Sequence, residues 1–435
     1  MNRSEFAKRR KTLTRMVGEE GIAILPSAPV RVRSRDVEYR YRQDSDFYYL
    51  TGFAEPESVA VIAPGRENGE FVLFCRERDS RKEQWDGSRA GPEGAVARYD
   101  ADDAFPIDDI DDILPGILES RNRVYYTMGA YSEFDQRLTE WVKSLKGRES
   151  AGIHTPHEFI ALDHILHDMR LYKSRAEISA MRKAAKIAVG AHTRAMAKVR
   201  PGMFEYEVEA EYVHEFRRQG ATTSYSPIVG AGANACTLHY IDNRAQLADG
   251  DLLLVDAGCE YDYYASDITR TMPVSGRFTP EQRAVYEIVL DAQLAAIAKT
   301  VKGNHWNDPH DAAVRIITKG LKKLGLLDGT VPKLIRDEAY REFFMHRTGH
   351  WLGMDVHDVG DYKVGDEWRF LEPGMVMTVE PGIYLPATRK VSAGFRNIGV
   401  RIEDDVAVTG NGPDVLSSGL AKDPDDIERL MAAGS

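Results

Sequence analysis

The feature that most constrains this chain is an internal repeat. The run Gly250-Asp-Leu-Leu-Leu-Val-Asp256-Ala-Gly258 aligns without gaps on Gly374-Met-Val-Met-Thr-Val-Glu380-Pro-Gly382. Each copy opens on glycine and continues as an apolar run of strand character. Each then places a carboxylate where the run ends and a second glycine two residues later. A further strand with a carboxylate beside it follows each copy: Asp267 after the first, Glu403 after the second. Two such halves form a domain with a pseudo-two-fold axis, and that symmetry carries all four carboxylates to one central place. A carboxylate at the buried end of a strand is costly unless it is paired or bound to a cation.

The repeat lies in the second of two parts, which divide near residue 170. The first, residues 1–170, reads as a smaller α/β domain with strands at Gly21–Leu25, Val59–Ala63 and Phe71–Cys75. Residues 76–118 are charged and read as loop-rich, with an acidic cluster between Asp100 and Asp112. The second part, residues 171–435, carries longer helices. Ser174-x-x-Glu177 is a capping-box pattern, residues 205–219 form a helix stopped at Gly220, and Thr279-Pro280 opens another. A fourth helix covers about 309–324. Strand-like runs lie at 251–257, 268–274, 375–380 and 399–408. The pattern is α+β, with helices on a largely antiparallel sheet.

Composition excludes some functions. Net charge is −11, which disfavours nucleic acid as a partner, since phosphate binding needs a basic surface. The three cysteines, Cys75, Cys236 and Cys259, form no framework, which fits a reducing compartment. Cys236 and Cys259 lie beside His239 and Asp256 but read as packing residues. No apolar run is long enough to span a membrane, and no apolar segment follows the basic N-terminus. A cytoplasmic protein is expected.

Three of the twelve histidines, His346, His350 and His357, fall within one short run, His346-Arg-Thr-Gly-His350-Trp-Leu-Gly-Met-Asp-Val-His357-Asp358. The first two have the spacing of HExxH, but Arg347 replaces the glutamate, which argues against a zincin site. Gly349 and Gly353 argue against a helix there. His239 ends a glycine-rich run, Gly230-Ala-Gly-Ala-Asn-Ala-Cys-Thr-Leu-His239. His154, His164 and His192 read as structural. Four carboxylates and one imidazole suit a pair of divalent cations, whose charges they balance. Oxygen-rich ligation favours Mn²⁺ or Mg²⁺, while the imidazole also suits Co²⁺, Zn²⁺ or Fe²⁺. Two cations ~3.5–4 Å apart point to metal-assisted hydrolysis.

At these residues the sequence resembles the aminopeptidase P family, the Xaa-Pro aminopeptidases with the pita-bread fold. The motifs are Val255-Asp256-Ala-Gly258, Ser266-Asp267-Ile-Thr-Arg270-Thr, His350-Trp351-Leu-Gly353, Val379-Glu380-Pro-Gly382 and Arg401-Ile-Glu403-Asp404. Arg40-Tyr-Arg-Gln-Asp44-Ser-Asp46-Phe47 and Leu50-Thr-Gly-Phe53 resemble the family's N-terminal domain. The resemblance implies two metals, most simply Mn²⁺. Asp256 would hold one, His350 and Glu380 the other, with Asp267 and Glu403 bridging. A bridging hydroxide would attack the scissile Xaa-Pro carbonyl, with Glu380 as proton acceptor and His239 and His357 at the substrate. His346, Val356, Tyr384 and Arg401 match positions lining the proline pocket or supporting the metals. Trp85 matches a tryptophan lent to a neighbouring subunit, so a homodimer or homotetramer is expected. The implied substrates are peptides with proline second.

Two other readings compete. A prolidase, which cleaves Xaa-Pro dipeptides, shares the fold and ligands, but Trp351 stands where prolidases more often carry proline. A non-catalytic interaction module on the same shell predicts lost ligands, and all five are present. Residues 385–398 read as a polar loop able to alter pocket access, and the tail after Leu416 as partly mobile.

Overall fold

The computed structural model describes residues 1–434. The chain forms two compact units, Met1–His167 and Asp168 onward.

The N-terminal unit is built on a six-stranded mixed sheet. From edge to edge the strands are Asp103–Pro106, Phe71–Cys75, Val59–Ile62, Gly21–Pro26, Arg123–Tyr125 and Glu158–Ile160. The two pairings made by Val59–Ile62 are antiparallel, and the other three are parallel. Val59–Ile62 and Phe71–Cys75 are buried along their whole length. That is why they read as unbroken apolar runs rather than alternations. Helices Ile110–Leu118 and Ser132–Lys146 supply Leu114, Leu118, Leu138 and Trp141 to a core with Ile22, Val61 and Phe74. Arg9 and Arg10 of helix Arg3–Val17 are buried and donate to the Tyr49 and Leu50 carbonyls at 2.9 and 3.0 Å. Those carbonyls end helix Ser45–Thr51, the helix pole that favours cations.

Residues 76–118 correct the loop-rich expectation. They hold helices Ser80–Asp86, Gly91–Tyr99 and Ile110–Leu118 and strand Asp103–Pro106. Several of their acids mark helix starts. Asp79 accepts from the Arg81 and Lys82 N–H groups, and Asp111 and Asp112 occupy a first turn.

The second unit packs long helices on antiparallel strands. Ser174 and Glu177 form the expected capping box on helix Arg175–Lys198, and Thr279 and Gln282 form another on Pro280–Ile297. The first repeat copy is strand Leu252–Asp256, flanked by Ile228–Ala231 and Thr269–Pro273. The second copy is strand Val376–Val379, paired with Asp404–Thr409. Side chains and backbone join the copies. The Thr271 hydroxyl donates to Arg401 O at 3.0 Å and accepts from Arg401 N at 3.2 Å, and Glu403 N donates to Thr269 O at 3.1 Å. Leu252, Val255 and Ile268 of one copy share a core with Val379, Ile402 and Val406 of the other.

Two further expectations change. Residues 399–408 are two strands rather than one, because Ile398–Arg401 pairs with Gly382–Leu385 while Asp404–Thr409 pairs with Val376–Val379. The chain changes partners at Ile402-Glu403, and the polar stretch 385–398 becomes the hairpin connection between Gly382–Leu385 and Ile398–Arg401. The tail after Leu416 is anchored: helix Pro424–Ala433 buries Ile427 and Met431 in the main core. Its polar residues are the outer face of an amphipathic helix. Among the described residues, no helix is long and apolar enough to cross a membrane.

Candidate metal centre

Strand ends and a partner switch place the ligand candidates. Asp256 is the last residue of its strand. The chain then turns so tightly that a Cβ on Gly258 would lie 1.8 Å from Ser266 O, which explains the glycine after the carboxylate in this copy. Asp267 follows Ser266, just before strand Thr269–Pro273. Residues 348–350 lie along strand Val376–Val379. Thr378 N donates to His350 O at 3.0 Å and Glu380 N to Thr348 O at 2.8 Å. His346 and His350 therefore do not share a helix face, as Arg347 and the glycines foretold. Glu403 occupies the break between two strands.

Asp267, His350 and Glu403 each offer a ligand atom within 4.8 Å of the others. His350 Nε2 lies 3.2 Å from Asp267 Oδ2 and 3.7 Å from Glu380 Oε1. Its Nδ1 lies 2.9 Å from Trp351 O, so Nδ1–H donates there and Nε2 is directed at the carboxylates. Asp256 joins the group through Tyr225, whose hydroxyl lies against Asp256 Oδ1 and, at 2.6 Å, Asp267 Oδ1. One hydroxyl proton cannot serve both oxygens, so the second contact calls for another proton or a cation. Glu403 Oε2 accepts from Thr269 Oγ1 at 2.6 Å.

The donor set is short of positive charge. Asp256, Asp267, Glu380 and Glu403 face one guanidinium, Arg401, which donates to Asp256 Oδ2 at 2.7 Å. Asp405, 1% exposed, adds a fifth carboxylate behind Asp267, whose N–H it accepts. Burial, with the Asp267 charge, pushes Asp256 up to about 6. Burial likewise pushes Glu380 up to about 7, although His350 and Arg401 oppose it. Glu403 lies well above the usual range through burial and the three neighbouring carboxylates. Burial works against the His350 cation, yet Asp267 and Glu380 hold it at about 9. The imidazolium thus stands in for missing positive charge, and this oxygen-rich, anion-excess set fits divalent cations.

A second arrangement borders the first. Arg401 NH1 donates to the Tyr384 hydroxyl at 3.0 Å, and that hydroxyl lies 2.9 Å from His346 Nε2. His346 Nδ1 lies 2.7 Å from Arg347 O, so Nδ1–H donates and Nε2 accepts from Tyr384. Burial and the Arg401 charge pull His346 down to about 3, which keeps it neutral. The His357 ring meets the His350 ring at a centroid distance of 4.5 Å. His239 is exposed and within electrostatic reach of both His346 and His357.

Residues 179–410 match the model of metallopeptidase family M24, and residues 6–125 match that of the aminopeptidase P N-terminal domain. The chain belongs to metallopeptidase family M24. It is 44% identical to the Xaa-Pro aminopeptidase of Escherichia coli strain K12 over 435 residues, covering 100% of this chain and 98% of that one. The solved aminopeptidase PepP of Pseudomonas aeruginosa superposes with a TM-score of 0.99 at 59% identity, covering 100% of this chain and 99% of that one. Zinc-substituted E. coli aminopeptidase P in complex with product superposes with a TM-score of 0.97 at 44% identity, with 100% and 99% coverage.

Within this M24 fold, the structure brings together Asp256, Asp267, His350, Glu380 and Glu403, with His346, Tyr384 and Arg401 beside them. Val356 lies half-buried in the irregular run before His357. Trp85 belongs to the N-terminal unit, 89% exposed on helix Ser80–Asp86. Tyr225, Thr378 and Asp405 were not singled out from sequence. Thr378 sits inside the second repeat copy and Asp405 directly after the Arg401-Ile-Glu403-Asp404 motif, while Tyr225 lies in no motif; only strand pairing and turn geometry show what their side chains meet. His192 is a satisfied core histidine, as read: it lies 3.0 Å from both Ala257 O and the Tyr212 hydroxyl.

Proposed function

We propose that this protein releases the N-terminal residue from peptides whose second residue is proline, by metal-dependent hydrolysis. The observation that carries the reading is the convergence of Asp267, His350 and Glu403 on one point, flanked by Asp256 and Glu380, in a pocket short of positive charge. Full-length similarity to curated Xaa-Pro aminopeptidases supports the substrate class.

Asp256 would help hold one cation and His350 and Glu380 the other, and Asp267 and Glu403 would supply further ligand oxygens to the pair. When bound, divalent cations polarise a carbonyl and lower the pKa of water, and Mn²⁺ suits these ligands best. Glu380 acts as the proton acceptor. Its Oε1 is steadied by the Thr378 hydroxyl at 3.3 Å. His239 and His357 border the substrate and stabilise charge developing on the scissile carbonyl oxygen. Proline makes a tertiary amide with no N–H to grip, so recognition must fall on its ring. Neutral His346, Tyr384, Val356 and Arg401 form that wall, and the Arg401–Tyr384–His346 chain of hydrogen bonds holds it rigid.

The same reading places residues 1–170 and 171–435 as two domains and the protein in the cytoplasm. It also places Trp85 at a neighbouring subunit's site in a homodimer or homotetramer. The test is metal-stripped protein with Mn²⁺ restored, assayed on Ala-Pro-Ala and on Ala-Pro. Metal-dependent release of alanine from the tripeptide is expected. Cleavage of the dipeptide alone would make the protein a prolidase. No cleavage of either, with two metals bound, would remove the substrate class.

A further inference from the structure

His357 is held by little of its own. It lies in a stretch, 353–360, that has neither helix nor strand, and it is exposed. The next residue is its opposite. The Asp358 side chain is 1% exposed and accepts from Lys173 Nζ at 2.8 Å and from Arg170 at 2.6 Å, two cations themselves almost fully buried. Arg170 also reaches Asp355, at 2.7 Å. Asp358 closes the stretch on itself as well. Its N–H donates to Trp351 O at 2.9 Å, and its Oδ1 accepts from Asp355 N at 3.3 Å. Lys173 is fixed in turn by its N–H, which donates to Gly374 O at 2.9 Å. Nothing larger than glycine fits beneath this cluster. A Cβ on Gly353 would lie 2.1 Å from Asp358 Oδ2 and 2.9 Å from Lys173 Cε.

Burying such a cluster is a poor way to gain stability, because apolar residues of the same volume often do better. What charged, directional bonds give is a fixed place. Two of them, from Lys173 and Arg170, pull Asp358 inward, and the side chain one residue earlier then has little backbone freedom left. We propose that Asp358, gripped by Lys173 and Arg170, is a positioning residue that sets where the His357 imidazole stands beside His350. The inference rests on the peptidase reading for its kinetic consequence but not for its structural one. A misplacement of about 1 Å in such a group costs up to ~10²-fold in rate.

The test uses the metal-loaded full-length protein and the isosteric Asp358→Asn. Two readouts are taken. Hydrogen exchange should rise across residues 353–360 while the segments carrying Asp256 and Glu403 keep their protection and the metal content stays at the wild-type level. On the tripeptide, kcat should fall by about 10- to 100-fold with KM little changed. It should fall no further when the change is made on top of His357→Ala. Wild-type exchange in 353–360, metal loss, or an equal fall in the His357→Ala background would each overturn the proposal. Should Asp358→Asn fail to fold, Gly353→Ala, which pushes a methyl into the same contact without altering charge, is read by the same two measurements. A silent His357→Ala would instead count against the catalytic role of His357, and the exchange result would still decide whether Asp358 anchors the segment.

Discussion

Glu403 and Asp404 are neighbours in sequence, both 1% exposed, and their surroundings treat them in opposite ways. Asp404 accepts four hydrogen bonds, from Arg270 at 2.7 Å, Ser417 at 2.7 Å, Gln293 at 2.7 Å and Lys422 at 2.8 Å. Against the cost of burial, Arg270 and Lys422 pull its carboxyl down to about 2. Glu403 receives one hydroxyl and faces three other carboxylates, and its pKa is driven far up. The protein has completed one buried anion with its own cations and, on the proposed site assignment, left the other for a cation from outside. On that assignment the difference separates a carboxylate that holds the fold from one that would hold a ligand, and exposure alone does not reveal it.

The sharpest way to break this contrast is to alter each side. Asp267→Asn should abolish metal-dependent turnover, and Glu403→Gln should do the same. The metal-free fold should stay intact in both. Metal content by plasma mass spectrometry and a thermal melt decide the matter. Full activity with two bound metals in Asp267→Asn would remove that residue from the site. Asp404→Asn should do the reverse. It leaves Arg270 buried without its counter-charge and should cost about 3–5 kcal/mol in denaturant unfolding, with metal content preserved.

Smaller effects sharpen the comparison. Tyr225→Phe removes the hydroxyl that orients Asp256 and Asp267, so metal affinity measured by calorimetry should weaken by about 10- to 100-fold. The smallest effect is one of pH. In metal-free protein, Asp256 at about 6 and Glu380 at about 7 bind protons more tightly than their unfolded values of 3.8 and 4.5. Their contribution is therefore fully present below about pH 4 and is lost as pH rises toward 7. Asp404, depressed from 3.8 to about 2, contributes above pH 3.8 and loses that contribution as pH falls toward 2. The part of the pH 4–7 dependence of metal-free unfolding that Asp256→Asn and Glu380→Gln remove should show the first trend, and saturating Mn²⁺ should erase it in the wild type.

Much of this arrangement was legible in the sequence. The repeat gave both pairs of carboxylates because symmetry is a one-dimensional pattern as well as a three-dimensional one. The capping boxes at Ser174 and Thr279 are local, so they read directly. What failed to read was long-range. The partner switch at Ile402-Glu403 looks like a continuous strand because both halves are apolar and alternate. Tyr225 carries no spacing signal, since its contacts lie 31 and 42 residues away. The Asp404 cluster draws on Arg270, Gln293, Ser417 and Lys422, which no local motif unites.

The second repeat copy and its partner strand come late in the chain, and that order has a consequence for biosynthesis. Asp256 and Asp267 emerge from the ribosome well before Glu380 and Glu403. At about 5–20 residues per second, the first pair waits many seconds for the second. During that interval the nascent chain presents two acids at a strand end but no cage, so a cation that meets it has no reason to stay. If these four carboxylates hold the metals as proposed, loading is expected as a late event, after the chain beyond residue 403 has been made, rather than with the folding of the first half.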